Sequence, residues 1–332
     1  MKALVYTDPK TLEYREVPHP ATVDGEALVK VFCVGICGSD MHAYLGHDAR
    51  RPAPLILGHE AAGVITGGAR DGERVTVNPL VTCGNCGACR NKKDNLCETR
   101  QIISMPPREG AFAEFVAMPE ENLLTVPNDV SLQTAALTEP IACGWHAVKR
   151  AKEAIRISNN SLQVLVIGGG AIGLGAALSC KAQGIDDVTM IESNPLRREL
   201  IYTNCHRHII SPNAIPLGQT YDLIIDGVGY EETRQLASKL CNPGGVIMHI
   251  GLGSATGGLH IRRMTLQEIT FIGTYTYTSA DFRETAQAIF DGKMGDLNWT
   301  ESLPLSEGSK AFASIGAGKT ASPKIILNPF PE

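Results

Sequence analysis

The chain has no excess of basic charge: 30 lysines and arginines stand against 35 acidic residues, a formal net charge of −5. No basic stripe or tail runs along it. Proteins that bind nucleic acid or a membrane surface need such a stripe, so a small-molecule partner is expected, with no nucleic acid and no membrane. No apolar run approaches the ~18 residues that cross a bilayer. Met1-Lys-Ala-Leu-Val-Tyr6 reads as a strand, not as the charged, apolar and small-residue succession of a signal peptide, and a cytoplasmic protein is expected. There is no internal repeat and no low-complexity linker. Ten cysteines in a reducing compartment serve as metal ligands and small buried hydrophobes rather than as disulfides. Cys33, Cys143, Cys180, Cys205 and Cys241 are read as bystanders.

What the chain does have divides it in two. At 332 residues it exceeds one ordinary core, so two domains are expected. Up to about Ala117 the text is short β-rich runs (Ala3–Tyr6, Glu26–Val34, Ala61–Ile65, Arg74–Val77, Ala111–Ala117) broken by Gly and Pro, which predicts a β-barrel-like domain. Glu139-Pro140 opens a helix over Ile141–Lys152, with the domain boundary in or near it. From Leu162 strand and helix alternate: Val164–Ile167, Ala171–Gln183, Val188–Ile191, Leu196–Thr203, Ile209–Ile210, Asp222–Asp226, Glu231–Leu240, Val246–Ile250, Met264–Gln267 and Ile269–Ile272. That alternation predicts an α/β, doubly wound parallel sheet. Asp281–Phe290, Ser306–Ser314 and Lys324–Leu327 are read as returning to the first domain. The expected division is 1–146 with 277–332, and 147–276.

Cys83-Gly-Asn-Cys86-Gly-Ala-Cys89 with Cys97 sets four thiols at a spacing that closes a tetrahedral Zn2+ cage inside one short loop. All four positions being filled by cysteine, this zinc is structural and binds no substrate. Chemistry must lie elsewhere.

Gly168-Gly-Gly170-Ala-Ile172-Gly173 directly follows the apolar strand Val164–Ile167 and opens a helix. In that setting the glycines make the tight turn, let the backbone approach a pyrophosphate and allow close helix packing, while the helix N-terminus offers N–H groups and positive dipole. Glu192 closes the next strand where a carboxylate accepts hydrogen bonds from the adenosine ribose hydroxyls, which favours NAD over NADP. Arg197 and Arg198 lie where they can soften that preference by reaching a 2′-phosphate. Asp226 and Gly227 end another strand at the same edge and either approach the adenine or close a turn.

A second metal set is open. Cys37, on a Gly-rich turn, and His59, with one carboxylate from Glu60 or Glu139, give three protein ligands and leave a fourth position for water or substrate oxygen, the pattern of a catalytic zinc.

Gly35-Ile-Cys37-Gly-Ser-Asp-Met-His42, Gly58-His59-Glu60, the lobe from Cys83 to Cys97, Glu139-Pro140 and Gly168–Gly173 occur in the order found in the zinc-dependent medium-chain alcohol dehydrogenases. The chain resembles that superfamily over essentially its whole length, and within it the polyol (sorbitol and sugar-alcohol) and threonine dehydrogenases. The resemblance implies a GroES-like catalytic barrel, a Rossmann domain, two zinc ions per subunit and NAD. It implies Cys37 and His59 as zinc ligands, Glu60 as the third, and Glu139 as a ligand or as the hydrogen-bond partner of a water in the open position. It further implies that Ser39 takes the proton of the substrate alcohol and His42 passes it on towards solvent. Tyr44, Phe112, Tyr275 and Tyr277 are the candidate pocket walls.

Two departures bear on the substrate. Gly72-Glu73-Arg74-Val75 follows Gly58-His59-Glu60 sooner than in many relatives, and Thr276 occupies a position where polyol dehydrogenases often have arginine. The expected activity interconverts a secondary alcohol of a polyol, cyclitol or sugar acid with the ketone, in a homodimer or homotetramer. Two other readings stand beside it. A threonine-type amino-alcohol dehydrogenase needs a carboxylate clamp and an amine site. A nucleotide-binding structural or regulatory protein without turnover is disfavoured by the complete set of Cys37, His59, Glu60, Glu139, Ser39 and His42.

Overall fold

The computed structural model describes residues 1–155 and 162–331. They form two compact units. The first comprises Met1–Glu139, Thr278–Asp291 and Thr300–Glu332, the second Pro140–Tyr277 and Gly292–Trp299.

The first unit is built on a seven-stranded sheet. Its order is Leu123–Thr125, Arg74–Val77, Glu60–Thr66, Glu26–Gly35, Lys324–Asn328 and Thr300–Pro304, with Phe115–Pro119 also pairing to Glu26–Gly35. Val29 and Val31 alternate inward, and a register shift between Val31 and Cys33 turns Val34 to the same side; with Ile65, Val75, Val77 and Leu327 they enter a core closed by Phe112 and Phe312. The register places Gly35 opposite Glu60 on one side and Ile326 on the other. That brings the end of one central strand, the start of its neighbour and the last strand of the chain to a single point.

The second unit is a six-stranded parallel sheet in the order Ile209–Ile210, Val188–Ile191, Val164–Ile167, Tyr221–Asp226, Cys241–His249, Thr270–Gly273. Chain order reverses between Val164–Ile167 and Tyr221–Asp226, the switch point at which open α/β sheets bind ligands. Strands buried on both faces read as apolar runs, as Val164, Leu165, Val166 and Ile167 do here.

Several expectations are corrected. The chain passes between units at Glu139/Pro140, not after residue 146, because the helix Thr138–Ala154 lies against the helix Ala171–Ala182: a Cβ on Gly144 would stand 2.5 Å from the Ala176 nitrogen. Gly292–Trp299 goes with the second unit, where Asn204 Nδ2 donates to the Asn298 carbonyl at 2.9 Å. The strand expected over Ala111–Ala117 is Phe115–Pro119, and the helix expected at Met264–Gln267 is Ile261–Leu266.

Candidate functional site

The Gly-rich turn expected around Cys37 is in fact the helix Gly38–Tyr44. Asp40, at its third position, closes a capping box: its Oδ2 accepts the Cys37 N–H at 3.0 Å. A short polar residue there competes for exposed N–H groups and so starts a helix. Its other oxygen, Oδ1, accepts from Gly58 N–H at 3.3 Å and stands 3.4 Å from His59 Nδ1. One fully buried carboxylate thus orients both the loop bearing Cys37 and the ring of His59. Burial works against charge on His59, but the Asp40 carboxylate and the Cys37 sulfur beside it push its pKa well above the usual imidazole range. With Nδ1 turned to Asp40, Nε2 is the nitrogen left for a metal.

Ligand atoms of Cys37, His59 and Glu60 all lie within 4.8 Å of one another. Glu60 begins the strand Glu60–Thr66, and its side chain occupies the space over Gly35, where a Cβ would come within 2.0 Å of Oε2. Across that gap Lys324 reaches from the last strand: Nζ donates to Glu60 Oε1 at 2.6 Å and to the Ile36 carbonyl at 2.8 Å. Glu60 Oε2 is buried and has no hydrogen-bond partner. A buried carboxylate oxygen in that state calls for a cation, and a sulfur, an imidazole and a carboxylate are a donor set that suits zinc. Glu139, in the first turn of its helix and 6% exposed, lies outside this cluster. It is close enough, with Glu60 and Cys37, to help raise the pKa of Lys324 against the opposing effect of burial.

The four-cysteine set is equally well formed. Cys83 and Cys97 sulfurs are 3.5 Å apart, as are those of Cys86 and Cys89, and Cys83 to Cys89 is 3.9 Å. Four sulfurs about 2.3 Å from a common tetrahedral centre would be about 3.8 Å apart. Backbone N–H groups of Asn85 and Cys86 pull the Cys83 thiol down to about 6, whereas burial and Cys86 push Cys89 up to about 12. Thiols this close cannot all ionise without a cation between them. Asp94, within the lobe, accepts from Ser279 N–H at 2.9 Å and so fastens it to the helix Ser279–Phe290.

In the second unit Gly168 has φ +100° and a Cβ on Gly173 would lie 1.9 Å from the Gly168 carbonyl oxygen, so neither tolerates a side chain. Gly170 has open space on its Cβ side, as a loop that admits a pyrophosphate requires. Glu192 Oε2 accepts from Gly169 N–H and Oε1 from Asn194 N–H, both at 2.8 Å. Arg197 Nη1 is 3.6 Å from Glu192. Arg198 is turned inward, donating to the carbonyls of Glu192 and Ser193 at 2.6 and 2.8 Å. The choice left open for Asp226 resolves towards the turn: fully buried, it accepts from Val228 and Gly229 N–H at 2.9 Å each and from Thr233.

The alcohol dehydrogenase GroES-like domain model matches residues 23–128 and the zinc-binding dehydrogenase model residues 171–291. Over 322 residues, 92% of this chain and 92% of the relative, it is 32% identical to L-galactonate-5-dehydrogenase of Escherichia coli (strain K12). The chain belongs to the zinc-binding dehydrogenases. Its similarity to sorbitol dehydrogenase of Bacillus subtilis (strain 168) is 32% identity over 84% of this chain and 83% of the relative. A solved structure of a short chain alcohol dehydrogenase from E. coli CFT073, complexed with the cofactor NADH, superposes with a TM-score of 0.88 at 26% identity, covering 99% of both chains.

Within this zinc-binding dehydrogenase the expected pocket walls divide. Tyr44 and Phe112 pack on Phe312 in the core, with ring centroids at 5.2 and 5.8 Å, and Phe112 also covers Gly58. They support the site from behind because an apolar ring gains more in the core than at a wet wall. Tyr277 is buried, and Tyr275 is half-buried. Ser39 is half-buried and His42 exposed, three residues apart on the helix Gly38–Tyr44. Residues the sequence reading missed are Lys324, Arg51 and Ser104. Arg51, 3% exposed, ties the Ser39 carbonyl to the Ser104 carbonyl at 2.8 and 3.0 Å, and Ser104 Oγ lies 3.4 Å from His59 Nδ1. A lysine opening the apolar run Lys324–Leu327 was the one available signal.

Proposed function

We propose that this chain is a zinc- and NAD-dependent dehydrogenase that interconverts a secondary alcohol of a polyol, cyclitol or sugar acid with the corresponding ketone. The observation that carries it is the three-ligand set of Cys37, His59 and Glu60 with its unpartnered buried oxygen, in a chain that also has the Gly168–Gly173 loop. A zinc held there supplies Lewis acidity that lowers the pKa of an alcohol towards neutrality. Gly168, Gly170, Ile172, Gly173 and Glu192 would hold NAD, which would supply the hydride acceptor. Similarity to an L-galactonate dehydrogenase and a sorbitol dehydrogenase supports a polyhydroxylated substrate.

The remaining work falls to this chain's own side chains. Ser39 Oγ accepts the alcohol proton as its own hydroxyl proton leaves towards His42. His42, one helical turn on and open to solvent, takes it from there. Glu139, buried in the first turn of its helix and near enough to Lys324 to act on its charge, is suited to accept a hydrogen bond from a neighbouring substrate hydroxyl, which favours vicinal diols.

The proposal includes a cytoplasmic homodimer or homotetramer. Five of the ten cysteines falling in the two candidate zinc sites agrees with a reducing compartment. Among the described residues the edge strand Thr270–Gly273 has one partner strand, and Ile261 and Leu266 are exposed in the same unit, features that favour self-association. No helix among the described residues is long and apolar enough to cross a membrane. NADH formation scanned over polyols, cyclitols, sugar acids, amino alcohols and simple alcohols tests the activity.

A further inference from the structure

The second unit holds a buried arginine that the proposed chemistry does not use. Arg234, in the helix Glu231–Leu240, is 5% exposed. Its guanidinium reaches two loops. Nε donates to the Gly257 carbonyl at 2.6 Å, Nη1 to the Gly229 carbonyl at 2.8 Å and the Ser254 carbonyl at 3.1 Å. Nη2 donates to Ser254 Oγ at 2.8 Å and to the Thr256 carbonyl. The planar fork of an arginine is the one side chain that can serve five acceptors in a fixed geometry.

Both loops leave the carboxyl ends of neighbouring strands, Tyr221–Asp226 and Cys241–His249. Their backbones meet closely: a Cβ on Gly229 would stand 2.1 Å from the Gly251 carbonyl oxygen, and one on Gly251 would stand 2.2 Å from the Val228 carbonyl carbon. Gly258, with φ +88°, sits against the Glu231 carbonyl and Arg234 Cβ. Two large side chains stay exposed beside this packing. Leu252 is 70% exposed between Gly251 and Gly253, and Tyr230, 51% exposed, lays its ring over Gly253.

The sheet order says what comes there. Glu192, after Val188–Ile191, marks the adenosine end of a dinucleotide, and the Gly168–Gly173 loop takes the pyrophosphate at the switch point. The other half then runs towards the carboxyl ends of Tyr221–Asp226 and Cys241–His249. We propose that Arg234 is a positioning residue for the nicotinamide half of the cofactor, holding the two loops together so that Leu252 forms one apolar wall of the ring's seat. The inference rests on the dinucleotide reading of the Gly168–Gly173 loop.

The test is equilibrium binding of NADH and of ADP-ribose, which lacks the nicotinamide ring, to the whole zinc-loaded protein, with circular dichroism to confirm folding. Arg234→Lys keeps the charge and loses the fork. It should weaken NADH about ten- to hundredfold and leave ADP-ribose within about twofold. Leu252→Ala, a change at an exposed side chain that does not threaten folding, should weaken NADH about threefold or more, again sparing ADP-ribose. Equal weakening of both ligands by Arg234→Lys would reduce Arg234 to a structural staple. NADH affinity unchanged in Leu252→Ala would remove the wall. A wild-type chain that binds neither ligand would overturn the dinucleotide reading itself.

Discussion

Lys324 and Glu60, from strands on either side of the one ending at Gly35, meet over that glycine as a buried ion pair 2.6 Å long, 3% and 1% exposed. The lysine holds one carboxylate oxygen and leaves the other without a partner beside Cys37 and His59. Removing one member of a buried pair leaves an uncompensated charge and costs about 3–5 kcal/mol. Lys324→Met should therefore lower the stability of the zinc-free protein by that order, and adding Glu60→Gln should restore most of it. Denaturant unfolding of the single and double variants measures the coupling; additive losses would mean that the two side chains do not act as a pair.

Two zinc ions per chain with unequal roles are expected. Cys89→Ser opens the closed cage and should chiefly reduce stability or yield, whereas Cys37→Ser should abolish turnover in a folded protein. Elemental analysis after metal-replete expression checks the count, and one zinc or none would contradict the two-site reading.

NAD+ should be preferred to NADP+, because a 2′-phosphate brings about −1.5 to −2 charges against Glu192. Arg198, bonded to the carbonyls of Glu192 and Ser193, is not placed to offset this, which leaves Arg197. Glu192→Ala should move the ratio of kcat/KM towards NADP+. Equal kcat/KM for both cofactors in the wild type would show that Arg197 wins.

On the proposed proton route Ser39 is the more sensitive position. Ser39→Ala should lower kcat by roughly 10²-fold or more, within the range of general acid–base contributions. His42→Ala should cost less and recover with imidazole buffer, since His42 is exposed and solvent can replace it. Equal, unrescued losses would place both residues in a structural role.

Much of this was legible in the chain itself, and the reasons are local. Three cysteines three residues apart, a glycine loop between an apolar strand and a helix, and a Cys/His pair with adjacent carboxylates each state their chemistry over a few neighbouring residues. The helix after Cys37 was hidden because Gly38 and Ser39 weigh towards a turn, and only Asp40 closing on the Cys37 N–H tips the balance. Lys324 and Arg51 act across 264 and 53 residues of sequence, and no spacing rule connects such partners. Two of the four aromatic candidates lie in the core, where composition is least informative: Tyr44 and Phe112 look alike as pocket wall or core until Phe312 is seen against both.

The central claim is the substrate class. A substrate offering one oxygen to the metal and a neighbouring hydroxyl to Glu139 gains a contact that a simple alcohol lacks, worth about 1–3 kcal/mol, or roughly ten- to hundredfold in kcat/KM. The direct measurement is kcat/KM for NADH formation with polyols, cyclitols and sugar acids against ethanol, propan-2-ol and threonine. At least one vicinal diol of the first group should exceed every member of the second by about tenfold or more; ethanol, propan-2-ol or threonine oxidised faster than all of them would contradict the account.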